Sequence, residues 1–282
     1  MNNKKQEQKL NPVVKWAGGK RQLLDEITEM IPDNYTEYIE PFLGGGAVLF
    51  GSHPEKAVIN DCNEELMNVY KVIRDNPDEL IKALENHSKN NSSDYFYKVR
   101  AYDRDESIYN AMTDIEKAAR TLYLNKTCYN GLYRVNKSGQ FNTPYGKYKN
   151  PNITNEKAIR EISKYLNDNN IEIRSGDYKN ILDDANEGSF VYMDPPYMPI
   201  SNSSAFAGYT SDRFNAERQA ELKEACDELD KKGVRFLQSN SDCEYIRELY
   251  KDYNMRVVRA KRNINCESNG RSAVNELLIY NY

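Results

Sequence analysis

The stretch best suited to chemistry is Asp194-Pro195-Pro196-Tyr197. An aromatic amine is a poor nucleophile, because its lone pair is delocalised into the ring. A carboxylate and a backbone carbonyl can each accept one of its N–H hydrogens. Together they favour a pyramidal nitrogen with a localised lone pair. The Asp194 carboxylate and the Pro195 carbonyl are two such acceptors, and Tyr197 offers a flat ring on which a base can stack. The prolines fix φ and remove two N–H donors, so the stretch is stiff and presents carbonyls. Enzymes that need this arrangement alkylate exocyclic amines of nucleobases flipped out of the duplex. The plainer reading is a strand-ending turn, since Asp-Pro commonly starts one.

Phe190-Val191-Tyr192-Met193 is an apolar run bounded upstream by Gly188-Ser189, which reads as a short buried strand. It puts the tetrapeptide at the carboxyl edge of a sheet, where open α/β folds bind ligands. Three upstream stretches repeat the theme. Tyr38–Val48 reads as strand, glycine turn and helix start, with Gly44-Gly45-Gly46 in the turn. Ala57–Asp61 is a strand ending in an acid. Asp61 follows Gly44 by about 17 residues, near the ~20 expected for an acid that holds ribose hydroxyls. Ile171–Arg174 is a strand leading to Ser175-Gly176-Asp177, a second strand-end acid. These features imply a nucleoside-containing cofactor with no pyrophosphate clamp. Near the start, Val13–Lys20 ends in Gly18-Gly19-Lys20 and is followed by a helical pattern over 21–31. A Gly-Gly-Lys that opens a helix suits a carboxylate or phosphate. It lacks Walker spacing, and an ordinary surface turn is the competing reading.

From Asn63 to about Asn150 the α/β alternation gives way to helical patterns over 64–87 and 114–126. This reads as an inserted helical domain. Lys117–Asn150 carries Lys117, Arg120, Lys126, Arg134, Lys137, Lys147 and Lys149, with no Asp or Glu, interleaved with Tyr123, Tyr129, Tyr133, Tyr145 and Tyr148. Leu132–Asn142 reads as a β-hairpin around Lys137-Ser138-Gly139. A basic, aromatic, Asn-rich hairpin in a chain of net charge −4 is a nucleic-acid footprint rather than a solvated face. Helices at 156–166, 216–231 and 241–250 and strands at 234–238, 256–262 and 274–282 complete the pattern.

The 282 residues suffice for one large domain or two smaller ones. The five cysteines are scattered, with no Cys-x-x-Cys, which argues for a reducing compartment and against zinc. No metal is expected. His53 and His87 read as surface residues. No apolar run reaches membrane-spanning length, and the polar N-terminus lacks an h-region. A mobile tail over 1–11 and a cytoplasmic location are the expectations.

KWAGGK, EPFLGGGAVLF, IND at 59–61, YNGLYRVN…QFNTPYGKYKNP, SGD at 175–177 and DPPY follow one another in the chain. In that order they resemble the Dam-type DNA adenine-N6 methyltransferases, of the α class of amino-methylases, from Pro12 onward. The resemblance implies a Rossmann-like α/β sheet with helices on both faces, formed by 12–63 and 151–282. It implies a mostly helical DNA-recognition domain with a hairpin at 64–150. It implies S-adenosylmethionine as methyl donor and adenine N6 in duplex DNA, within GATC, as target. Trp16 and Lys20 would lie at the methionine end of the cofactor, and Phe42, Gly44 and Gly46 would form its floor. Asp61 would hold the ribose and Asp177 the adenine amino group, with Asp194 also facing the cofactor. Asp194, Pro195, Pro196 and Tyr197 would form the catalytic set. Lys126, Tyr133, Arg134, Asn136, Lys137, Pro144, Lys147 and Lys149 would meet DNA. A monomer or weak dimer is expected, and a partner restriction endonuclease is admitted. The alternatives are an N4-cytosine or RNA N6-adenine methylase, or a non-catalytic DNA-binding protein on the same fold.

Overall fold

A computed structural model describes residues 10–198, 214–261 and 273–282. The expected tail before residue 10 lies outside them, as do residues 199–213 and 262–272. The strands are β1 Tyr38–Glu40, β2 Lys56–Ile59, β3 Asn170–Ile173, β4 Phe190–Met193, β5 Arg235–Ser241, β6 Asn254–Lys261 and β7 Ala273–Tyr280. The helices are α1 Leu24–Met30, α2 Leu49–Ser52, α3 Glu64–Asp75, α4 Pro77–Asn90, α5 Ser93–Arg100, α6 Glu106–Ala111, α7 Asp114–Thr127, α8 Glu156–Asp168, α9 Lys179–Asp183, α10 Ala216–Lys231 and α11 Glu244–Leu249. The chain divides into two compact units. One holds Met1–Gly19, Gly44–Glu55 and Asn63–Ser175; the other holds Lys20–Leu43, Lys56–Cys62 and Gly176–Tyr282.

The second unit contains six strands in the order β2-β1-β4-β5-β7-β6. β1 pairs in parallel with β2 and β4, and β4 with β5, while β7 runs antiparallel to β5 and β6. β4 lies between two parallel neighbours, and all four of its residues are buried. A parallel strand covered on both faces needs this unbroken apolar run. The strand order reverses between β1 and β4, the switch point at which such sheets bind ligands. Phe42 and Asp194 lie just past the carboxyl ends of those two strands. Ile39, Val191, Met193 and Phe236 join Leu222, Cys226 and Leu229 of α10 in one buried cluster.

The first unit is mainly helical. Pro77 at the first position of α4 separates it from α3. Asn63 caps α3, Ser92 caps α5, and Thr113 with Glu116 forms a capping box on α7. Arg120 of α7, 1% exposed, bonds the Val99 and Arg100 carbonyls and pairs with Asp103 at 2.8 Å.

Two expected elements differ. Gly18-Gly19 does not open an α-helix: the Gly19 N–H turns back to the Trp16 carbonyl, and a 3₁₀ turn over Lys20–Gln22 precedes α1. The hairpin over 132–142 forms no ladder. It is a turn with one isolated bridge, Val135 to Phe141, and backbone bonds from Asn136 to Gln140 and Asn142 to Arg134. It is also tied to its surroundings, since the Phe141 N–H donates to Asp103 and Arg104 donates to the Phe141 carbonyl.

Candidate active site

Asp194 leaves the end of β4 and meets Lys20, whose ammonium lies 2.7 Å from Asp194 Oδ1. Lys20 is 6% exposed and also sits over the Tyr197 ring, 4.6 Å from its centroid. The Tyr197 hydroxyl donates to Glu276 of β7 at 2.7 Å. Burial pushes the Asp194 carboxyl up to about 6; the Lys20 cation opposes the rise and the Glu276 carboxylate adds to it. Burial, then the Asp194 and Glu276 charges, hold the Tyr197 phenol well above its ordinary range, so it stays a donor. The tetrapeptide backbone is held from outside: Gln219 of α10 donates to the Pro196 carbonyl at 2.9 Å.

The same unit gathers the strand-end acids. Buried Asn60 donates to the Pro41 and Gly176 carbonyls, and the Gly176 N–H donates to the Asp61 carbonyl at 3.2 Å. The turns carrying Asp61 and Asp177 are thereby joined. Phe42 packs on Tyr178 at 5.1 Å and edge-on to Phe214 at 5.8 Å. Two carboxylates that accept from hydroxyls and an amino group, beside a cluster of rings, suit a purine nucleoside. Asp177 already accepts from the Lys179 amide and lies 3.2 Å from Arg218.

In the first unit, Trp16 stacks on Tyr133 with centroids 4.8 Å apart. Gly44, at φ +50°, lies so close that a Cβ there would meet Trp16 Cδ1 at 3.0 Å. Gly46, at φ +70°, is tighter: a Cβ would stand 2.6 Å from the Phe50 ring. The basic segment is closed by a bridge between Cys128 and Tyr145 and by the Tyr129 N–H on the Pro144 carbonyl. Lys137, Pro144, Lys147 and Lys149 are exposed, while Lys126, Tyr133 and Arg134 are half-buried. Lys147 adopts φ 53°, a turn conformation uncommon for a side chain with a Cβ. Arg134 Nε donates to Asn142, and the Asn136 side chain closes the turn by accepting from Ser138 and Gln140. Tyr133 donates to Glu65 at 2.9 Å.

Glu276, Gln219 and Glu65 were not among the sequence candidates. Two of them left a signal. Glu276 is a lone acid beside the apolar run Leu277-Leu278-Ile279. Gln219 falls on the helical stripe of Leu222, Cys226 and Leu229, where a polar residue needs a buried partner. Glu65 has only its neighbourhood: it accepts from Tyr109, Thr121 and Tyr133. His87 is half-buried rather than superficial. It stacks on Tyr123 at 4.8 Å, and burial lowers its imidazole to about 4.

Known proteins resemble this chain in sequence along most of its length. A type II methyltransferase of Lactococcus lactis subsp. cremoris is 46% identical over 97% of this chain and 96% of its own. One of Methanocaldococcus jannaschii is 41% identical over 97% of this chain and 99% of its own. The DNA adenine methylase of Escherichia coli K12 is 32% identical, covering 94% and 93%. A profile described as "D12 class N6 adenine-specific DNA methyltransferase" matches residues 16–264. The chain therefore belongs to the D12 class N6 adenine-specific DNA methyltransferases, enzymes that use S-adenosylmethionine to methylate adenine in DNA.

Proposed function

We propose that this methyltransferase acts on adenine N6 within GATC, on a base flipped out of the duplex, by direct in-line transfer. The observation that carries the site assignment is the position of Lys20 Nζ, a nitrogen donor 2.7 Å from Asp194 and over the face of Tyr197. A base amino group requires the same two partners. Asp194 and the Pro195 carbonyl accept its two hydrogens, and Tyr197 stacks on its ring. Asp61 holds the ribose hydroxyls of the cofactor and Asp177 its adenine amino group, with Phe42 and Lys20 of the same unit as further contacts. When bound, S-adenosylmethionine supplies an electrophilic methyl group. The chain's own contribution is orientation, acceptance of the amine hydrogens and exclusion of water.

In this reading residues 64–150 form the target-recognition domain. Lys126, Lys137, Lys147 and Lys149 meet phosphates, which position the duplex without reading it. Arg134 reads a base edge near Tyr133 and Pro144. Asn136 shapes the turn that presents it, since both its side-chain groups are engaged there. The names of the two type II relatives support a partner restriction endonuclease that shares the target sequence.

The test is methylation, with tritiated S-adenosylmethionine, of duplexes bearing GATC or each single-base variant. GATC should exceed every variant by at least ~5-fold, the lower end of one base contact. Equal rates on GATC and its variants would reject the target sequence. 2-Aminopurine at the target adenine should brighten on binding, and an unchanged signal would reject flipping.

A further inference from the structure

The catalytic backbone has an unusual problem of support. A loop is ordinarily fixed by its own amide donors, yet Pro195 and Pro196 have none. With both φ angles locked by the rings, the remaining freedom lies largely in ψ. Only a donor brought to a carbonyl from elsewhere can fix it. Gln219 is such a donor, 2.9 Å from the Pro196 carbonyl.

Gln219 belongs to a directed chain. The Ser241 N–H donates to Asn240 Oδ1 at 2.9 Å, Asn240 Nδ2 donates to Gln219 Oε1 at 3.0 Å, and Gln219 Nε2 donates to Pro196. A carboxamide taken alone can be turned end for end. Here one end of the chain is a backbone N–H, which can only donate, and the other a carbonyl, which can only accept. Both amide orientations are therefore fixed. Gln219 and Asn240 are each 0% exposed, so the bond between them is shielded from water, whereas the bond to the exposed Pro196 is partly buried. The two side chains come from different elements, α10 and the end of β5, both firmly packed. The chain engages the Pro196 carbonyl and not the Pro195 carbonyl that the amine requires.

We infer that Gln219, oriented by Asn240, is a positioning residue for methyl transfer: it sets the Pro196 peptide and hence the direction of the Pro195 carbonyl. The inference rests on the assignment of Asp194–Tyr197 as the amine site. Losing it would misaim one acceptor without removing any contact to cofactor or DNA. The defect belongs to the chemical step, where small misplacements are costly.

The experiment compares single-turnover rates of Gln219→Met, Asn240→Leu and the double variant, normalised to folded enzyme, with cofactor and DNA affinities measured alongside. Each single variant should be slower by about tenfold with affinities within about twofold, as expected when an interaction of the transition state alone is lost. The double variant should be no slower than the worse single one, because the two residues act as one unit. Asn240→Asp, of equal size, should reproduce the loss by turning the Gln219 amide round, and it serves if a bulkier change unfolds the protein. Wild-type turnover in Gln219→Met or Asn240→Asp would overturn the inference, as would a double variant equal to the product of the singles. Asp194→Ala is measured in parallel. If it retains full turnover, the amine site itself is misassigned; if it is inactive while Gln219→Met is normal, only the positioning role falls.

Discussion

In the proposed amine site, removing the Asp194 carboxylate takes away one of two acceptors. Asp194→Ala is expected to slow single-turnover methylation by at least ~10²-fold, comparable to losing one oxyanion-hole donor. Near-normal turnover in that variant would discard the amine-activation role. The same carboxyl predicts a pH dependence. Its value is raised to about 6, so the ionised acceptor is lost as pH falls through that value, and methylation should fall with it. Lys20→Met removes the opposing cation and should move this acidic limb to higher pH. Glu276→Gln removes a neighbouring negative charge and should move it lower. A pH–rate profile whose acidic limb ignores both changes would disconnect Asp194 from it. Tyr197→Phe keeps the ring but leaves Glu276 without its donor. It should cost stability, by roughly 1.5–3 kcal/mol for a bond to a charged group, more than it costs stacking. Thermal unfolding beside the methylation rate separates the two effects.

The elements differ in how far their sequences foretold them. β4 and α10 appear at the expected residues, because an unbroken apolar run and a regular helical stripe are strong patterns. The end of β5 was hidden. The expected strand stopped at Gln238 and a helix was expected from Ser241, yet β5 runs on through Ser241 because its polar groups find partners, Tyr192 on Ser239 and Gln219 on Asn240. Pairing of that kind lies far apart in sequence, and no local pattern reports it. The hairpin is present only in outline: its arms meet at one antiparallel bridge and two backbone bonds, and Phe141 is anchored by Asp103 and Arg104. The place of Asp194, Pro195 and Tyr197 at the end of β4 was legible because the strand before them is a local pattern. Glu276 was not, since it reaches the site only through the pairing of β7 with β5. Within the helical unit, Arg120→Leu should destabilise by roughly 1–3 kcal/mol, because the buried site loses the ion pair to Asp103 and the bonds to the Val99 and Arg100 carbonyls, while Arg104 and the Phe141 N–H stay on Asp103. Urea unfolding measures this, and an unchanged midpoint would mean that the Arg120 bonds are replaced by others.

Across the whole molecule the net charge is −4, although the target is a polyanion. Attraction to DNA must therefore be local, and Lys117–Asn150 is the stretch without acids. Lys126→Ala and Lys149→Ala should each weaken binding to every duplex and reduce the slope of log affinity against log salt by about 1. Arg134→Ala should instead narrow the gap between GATC and its variants by ~1–3 kcal/mol. Titrations at several salt concentrations distinguish the two classes, and a uniform loss in all three variants would place sequence reading elsewhere. The paired prolines carry a further consequence, for observation. Amide hydrogen exchange and proton-detected backbone spectra have no signal at residues 195 and 196, so the catalytic backbone is silent in the experiments normally used to follow loops. The Gln219 carboxamide protons, buried and bonded to Pro196, are the natural reporter, and their exchange rate should record every opening of the segment.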